Sequence, residues 1–146
     1  MTLNTLTLCT LAAAVLYCGS GFAIISAMKS KEGKASSWLR WPILLGLILQ
    51  AFALHGEMFR PDSVHFGFGY AVAETCFFAV IILLIETWIH RLHGQFGIAL
   101  CITALGTLMP LAFPGQAIVA TEWTPVFRWH LFFAIAGYAF MFVAGG

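Results

Sequence analysis

The chain has 146 residues, of which 61% are hydrophobic and only 9% are charged. Soluble domains average about 25% charged residues, and a short soluble domain can bury only part of its apolar surface. The composition therefore excludes an ordinary water-soluble domain. The net charge is +1 and no basic stripe is present, so nothing indicates a nucleic-acid partner.

The hydrophobic residues are concentrated in runs with few or no charges, close to the length of about 20 residues that crosses a bilayer as a helix. We predict an all-α fold, a polytopic transmembrane bundle of about five helices. Pro42 favours the first turn of the second helix, and Pro110 with Pro114 favours the end of the fourth. In chain order the helices cover 5–28, 42–58, 70–90, 95–111 and a last segment from about Trp129.

Lys and Arg are distributed unevenly between the connections. The first and third connections hold five of the seven, namely Lys29, Lys31, Lys34, Arg40 and Arg91. Positive loops stay cytoplasmic, so we predict an N-terminus outside, with the 57–69 and 112–128 loops facing outward. The tryptophans fall at predicted helix ends, as an interfacial aromatic belt requires; they are Trp38, Trp41, Trp88, Trp123 and Trp129.

Ionisable side chains at membrane depth are costly and are candidates for function. The predicted topology brings His55 at the end of helix two, Glu74 near the start of helix three and His130 at the start of helix five to the outward side. Imidazoles from two helices can be axial ligands of haem iron. His and Glu can equally form a proton relay, and a helix-end histidine can simply bond a carbonyl or lie among headgroups. We interpret His65, His90 and His93 as interfacial.

The four cysteines (Cys9, Cys18, Cys76 and Cys101) form no C-x-x-C or C-x-x-C-H motif, so neither a thiol redox motif nor covalent haem attachment is indicated. We interpret them as small hydrophobic residues. P-loop, G-x-S-x-G and H-E-x-x-H motifs are also missing from the sequence. A hydrolytic enzyme is therefore not indicated.

His130 follows Trp129 at the start of the last helix, and Tyr138-Ala139 follow at the spacing H-x7-Y-A. Together with the loop before it, in the segment ATEWTPVFRWHLFFAIAGYAF, this element resembles the cytochrome c assembly protein family, inner-membrane haem-handling proteins of the CcsA, HemX and YpjD types. His55 is similar in position to a histidine of one branch of that family. The resemblance corresponds to roughly the N-terminal half of family members.

The resemblance implies non-covalent b-type haem, bound or delivered on the periplasmic side of a bacterial inner membrane. Apocytochrome c and other assembly proteins are the implied partners. His130 and His55 are the implied ligands of the haem iron, supported by Glu74, Tyr138 and Trp129. Because family members have more helices, we expect residues 1–146 to form a single transmembrane domain that is a shortened form of the family domain. A proton or solute transporter and a non-catalytic membrane subunit remain open as alternatives.

Overall fold

The computed structural model describes residues 5–29, 37–60, 63–89, 94–119 and 124–144. They form a helical bundle with a small sheet at one end, so the predicted fold class is confirmed. The helices are α1 (Thr5–Lys29), α2 (Arg40–Met58), α3 (Phe68–Ile89), α4 (Gly94–Thr107), α5 (Met109–Ala112) and α6 (Pro125–Ala144). The strands are β1 (Phe59–Arg60), β2 (Ser63–Phe66) and β3 (Gln116–Val119).

The described helices have the length and surface of membrane spans. Val15 is 70% exposed and Met141 is 74% exposed, and large exposed apolar patches are rare on soluble monomers. These are the properties of a multi-pass membrane protein. Four segments are long and apolar enough to cross a membrane: Thr5–Lys29, Ser37–Met58, Phe68–Trp88 and Gln95–Ala112. The apolar part of α6 is shorter, Trp129–Met141. The belt residues Trp38, Trp41, Trp88 and Trp129 are exposed near helix ends, and Trp123 lies outside the described residues.

Two helix boundaries differ from the prediction. The predicted fourth helix is divided at Leu108 into α4 and α5, because Pro110 has no N–H with which to continue the α-helical hydrogen bonds. The Leu108 N–H donates instead to the Leu105 carbonyl at 3.1 Å, a tighter turn. The last helix begins at Pro125 rather than Trp129, and proline suits a first helical position because its missing N–H would have no partner there.

α1 packs most extensively against α4 and α2. A Cβ on Gly21 would lie 2.6 Å from the Gly97 carbonyl oxygen, so the α1 and α4 backbones touch. Small residues permit such close approach between membrane helices, where packing supplies much of the association energy. A Cβ on Gly56 would lie 2.8 Å from Leu6. These contacts join opposite ends of the helices, so α1 runs antiparallel to both α4 and α2.

The sheet joins two connections that are distant in sequence. β2 is its central strand and pairs antiparallel with both β1 and β3. Ser63 faces Val119 and Phe66 faces Gln116. β1 follows α2, β2 precedes α3, and β3 lies between α5 and α6. We call the end of the bundle where α2 ends and α3 and α6 begin the sheet end; the positive-inside rule predicts that it faces outward.

α6 packs chiefly on α3. The Phe132 ring meets the Phe78 ring edge to face, with the centroids 5.3 Å apart. Such pairs contribute about 0.5–1.5 kcal/mol beyond their buried area. Among the described side chains of α6, only Ile135 and Ala139 are fully buried. Most of the surface of this helix is therefore available to lipid or to a ligand.

Candidate functional site

The sequence-predicted site residues lie near the sheet end on three different helices. His55 is three residues before the end of α2, His130 is five residues after the start of α6, and Glu74 is six residues after the start of α3. At about 1.5 Å per residue, these positions are roughly 5, 8 and 9 Å along the helix axes from that end. The structure therefore brings the three side chains to one end of the bundle and to a similar depth.

The two imidazoles do not meet across a shared helix interface. α2 and α6 both pack on α3, and α6 packs chiefly there. His55 and His130 are exposed, whereas Glu74 on α3 is half-buried. Among the described His, Cys, Asp and Glu side chains, no three are grouped so that they could hold a bare metal ion. A site built on these residues would therefore use one or two protein ligands on the bundle surface.

Aromatic rings lie along α6 to one side of His130. The Trp129 ring stacks on the Phe133 ring, with centroids 6.0 Å apart and planes 28° from parallel. The Phe132 ring is edge-on to both, with its centroid 6.0 Å from that of Trp129 and 5.6 Å from that of Phe133. Phe78 of α3 packs on the Phe132 ring in turn. We call Trp129, Phe132, Phe133 and Phe78 the aromatic cluster. Trp129 and Phe133 are exposed, so the cluster presents rings on the surface beside the imidazole.

The side of α6 that carries His130 has a flat stretch further along the helix. Positions separated by three, four and seven residues share one side of an α-helix, which aligns His130, Phe133 and Gly137. A Cβ on Gly137 would meet nothing within 4 Å. We call these three residues the His130 face. Tyr138 is also exposed, and lies about 80° round the helix from His130. The H-x7-Y spacing thus places a hydroxyl beside this face.

His65 adds a third imidazole at the sheet end. It lies in β2, opposite Ala117 of β3, and is half-buried. Its Nδ1 is shielded and has no hydrogen-bond partner among the described residues. Most buried polar atoms have such a partner, so His65 is a further candidate donor or ligand, which the interfacial interpretation did not indicate. His90 and His93 lie outside the described residues.

A buried polar connection, not identified from the sequence, joins three helices deeper in the core. The Tyr17 hydroxyl donates to Gln50 Oε1 at 2.8 Å, and Gln50 Nε2 donates to the Ala73 carbonyl at 3.0 Å. Tyr17 is 0% exposed and Gln50 is 1% exposed. A Cβ on Gly46 would lie 2.8 Å from the Tyr17 ring, so this glycine leaves space for the tyrosine. The connection ends one residue before Glu74.

Comparison of the chain with protein-family models, with curated proteins and with solved structures gives no match. The resemblance of the His130 segment to the cytochrome c assembly family accordingly stays a prediction from its residues.

Proposed function

We propose that this protein binds haem at the sheet end, where His130 would hold the iron. The His130 face is the observation that supports this most directly. It combines an exposed imidazole, stacked Phe133 and Trp129 rings beside it, and a stretch at Gly137 without a side chain. A flat apolar macrocycle fits such a surface, because aromatic rings pack on its face while an imidazole nitrogen binds its iron.

His55 would be the second residue to hold the iron in this proposal. It is exposed on α2 at nearly the depth of His130, and both helices pack on α3. Glu74, half-buried on α3, would support the site from the helix on which α2 and α6 both pack. Trp129 and Tyr138, both exposed, would contribute ring contact to the macrocycle.

The proposed role is haem handling of the cytochrome c assembly type. Bound haem would supply an iron centre that can carry one electron, and the haem itself could be transferred to a partner protein. The chain itself binds and orients this group on the periplasmic side of a bacterial inner membrane. Apocytochrome c and other assembly proteins are the proposed partners, and the protein acts as a binder or carrier rather than as an enzyme.

Haemin titration into the detergent-purified protein, followed by visible absorption, tests the proposal. We expect His130→Ala to weaken binding by at least about tenfold, which corresponds to 1.4 kcal/mol, and to shift the Soret band. His55→Ala should convert a six-coordinate spectrum to a five-coordinate one. His93→Ala, predicted for the opposite side of the membrane, is the matched control and should bind as wild type. A wild-type spectrum and affinity in His130→Ala would contradict the proposal.

A proton-linked transporter is the second candidate, favoured by one observation. Glu74 is a half-buried carboxylate at membrane depth, next to the residue whose carbonyl accepts the Gln50 hydrogen bond. Intramembrane carboxylates commonly serve proton pathways. This candidate predicts pH-driven flux in liposomes that needs no haem and disappears in Glu74→Gln. Glu86→Gln, at an exposed position on the same helix, should keep the flux. The haem proposal predicts no such flux in any of these proteins.

A further inference from the structure

Two cysteines that are distant in sequence meet at the interface of α1 and α4. The side chains of Cys18 and Cys101 are near enough to interact with each other. The helices are in backbone contact at this level, because Gly21, one turn from Cys18, faces Gly97. A Cβ on Gly21 would lie 2.8 Å from Cys101 Sγ. Close backbone approach is what a disulfide requires, since its Cα atoms are about 4.4–6.8 Å apart.

The depth of the pair restricts the reagents that can reach it. Cys18 lies midway along the 25-residue α1, and Cys101 lies midway along the 14-residue α4. Both helices belong to segments long enough to span a bilayer, so the thiols lie near the middle of the hydrocarbon region. Both are half-buried rather than enclosed. A lipid-soluble molecule can therefore approach them from the bilayer, whereas a water-soluble thiol or ion cannot.

We propose that Cys18 and Cys101 form a redox-active dithiol that closes to a disulfide, with a lipid-soluble quinone as the electron acceptor. Two S–H bonds break and one S–S bond forms. Two electrons and two protons pass to the two quinone oxygens, which gives one hydroquinone for each disulfide. The closed form links α1 covalently to α4, and a lipid-soluble dithiol reductant opens it again. The haem proposal does not depend on this pair.

The test is a thiol count on the full chain in lipid nanodiscs. The protein is fully reduced, freed of reductant without oxygen, and incubated with decylubiquinone. It is then denatured and labelled with maleimide-polyethylene glycol, which shifts the gel band once for each free thiol. Wild type should fall from four labelled thiols to two. The Cys9→Ala/Cys76→Ala double variant retains only the proposed pair and should fall from two to none.

Two further measurements keep the proposal falsifiable. Cys101→Ala and Cys18→Ala should each retain all three remaining thiols after the quinone is added. Peptide mapping of oxidised wild type should find the 18–101 link, and hydroquinone should appear in equal amount. The proposal is overturned if wild type keeps four labelled thiols, or if Cys101→Ala still loses two of its three thiols. Dimers on a non-reducing gel in place of the internal link would overturn it as well.

Discussion

Replacing Gln50 by Leu tests whether the buried polar connection holds α1, α2 and α3 together. Leu occupies a similar volume, so the packing is largely kept while two hydrogen bonds are lost. The Tyr17 hydroxyl loses its acceptor at 2.8 Å, and the Ala73 carbonyl loses its additional donor at 3.0 Å. That carbonyl lies inside α3 and keeps its own helical hydrogen bond. Most of the cost therefore falls on the Tyr17 hydroxyl.

The burial of Tyr17 determines how much the free energy of unfolding falls. Its side chain has no exposed surface, so water cannot replace the lost acceptor. An unsatisfied buried polar group costs about 1–3 kcal/mol, while hydrogen bonds between membrane helices average about 0.6 and reach about 1.7 kcal/mol. We expect Gln50→Leu to lower the free energy of unfolding by about 1–2 kcal/mol and Tyr17→Phe by about 0.5–1.5 kcal/mol. The double variant should lose about 1 kcal/mol less than the sum of the two single losses, because both single variants break the same hydrogen bond.

Unfolding in mixed micelles, with SDS as the denaturant and far-ultraviolet circular dichroism as the signal, gives the free energy for each protein. Gln95→Leu and Tyr138→Phe are the matched controls, because both side chains are exposed. Each control should change stability by less than about 0.5 kcal/mol. If the two single losses add to within about 0.5 kcal/mol in the double variant, Tyr17 and Gln50 do not interact and the reasoning is wrong.

Three further predictions use the same unfolding assay or limited proteolysis. Gly21→Ala should lower the free energy of unfolding by about 1–3 kcal/mol, because the added methyl group forces α1 away from α4. Gly19→Ala, where a Cβ meets nothing within 4 Å, should leave stability unchanged or raise it. Equal effects of the two substitutions would refute the close contact of the helices. Phe132→Leu removes the edge-to-face contact with Phe78 and should make the α6 segment more sensitive to protease without changing cleavage elsewhere; uniform sensitivity would contradict it. Arg40→Gln removes the hydrogen bond that the guanidinium donates to an α3 carbonyl and should lower stability by about 0.5–2 kcal/mol, and an unchanged unfolding curve would count against this contact.

Hydropathy predicted the helices because an apolar run in a bilayer must satisfy its own backbone hydrogen bonds. The ends of α1, α2 and α3 lie within two residues of the prediction. The prediction began the last helix at Trp129 because Arg128 interrupts the apolar run. The helix begins earlier, at Pro125, which is a favourable first residue. The division at Leu108 also had a visible cause in Pro110, but the prediction used this proline to end the helix rather than to divide it.

The remaining features depend on register between distant segments. The strands of four residues or fewer are too short for a period-two pattern to stand out. The pairs Tyr17–Gln50 and Cys18–Cys101 follow from how neighbouring helices slide and rotate against each other. Helices that are apolar all round give no moment that fixes this rotation. The sequence did contain one signal of the buried polar connection, which is the single Gln in the apolar run of α2.

The same limit applies to the candidate site. Helix ends alone predicted that His55, Glu74 and His130 lie at one end of the bundle. They could not predict that both imidazoles lie on exposed surfaces while the carboxylate is half-buried. That arrangement depends on which side of each helix packs against α3. The open surface at Gly137 depends likewise on which side of α6 packs against α3.

The order of strands in the sheet has a consequence for biosynthesis. β2 leaves the ribosome together with β1, but its second neighbour, β3, is made only after α3, α4 and α5. Until then one edge of β2, including the backbone of His65, has no strand beside it. α6 follows β3 along the chain and docks on α3. The surface that presents His130 therefore forms only after all three strands have been made, and a nascent chain cannot offer it before then.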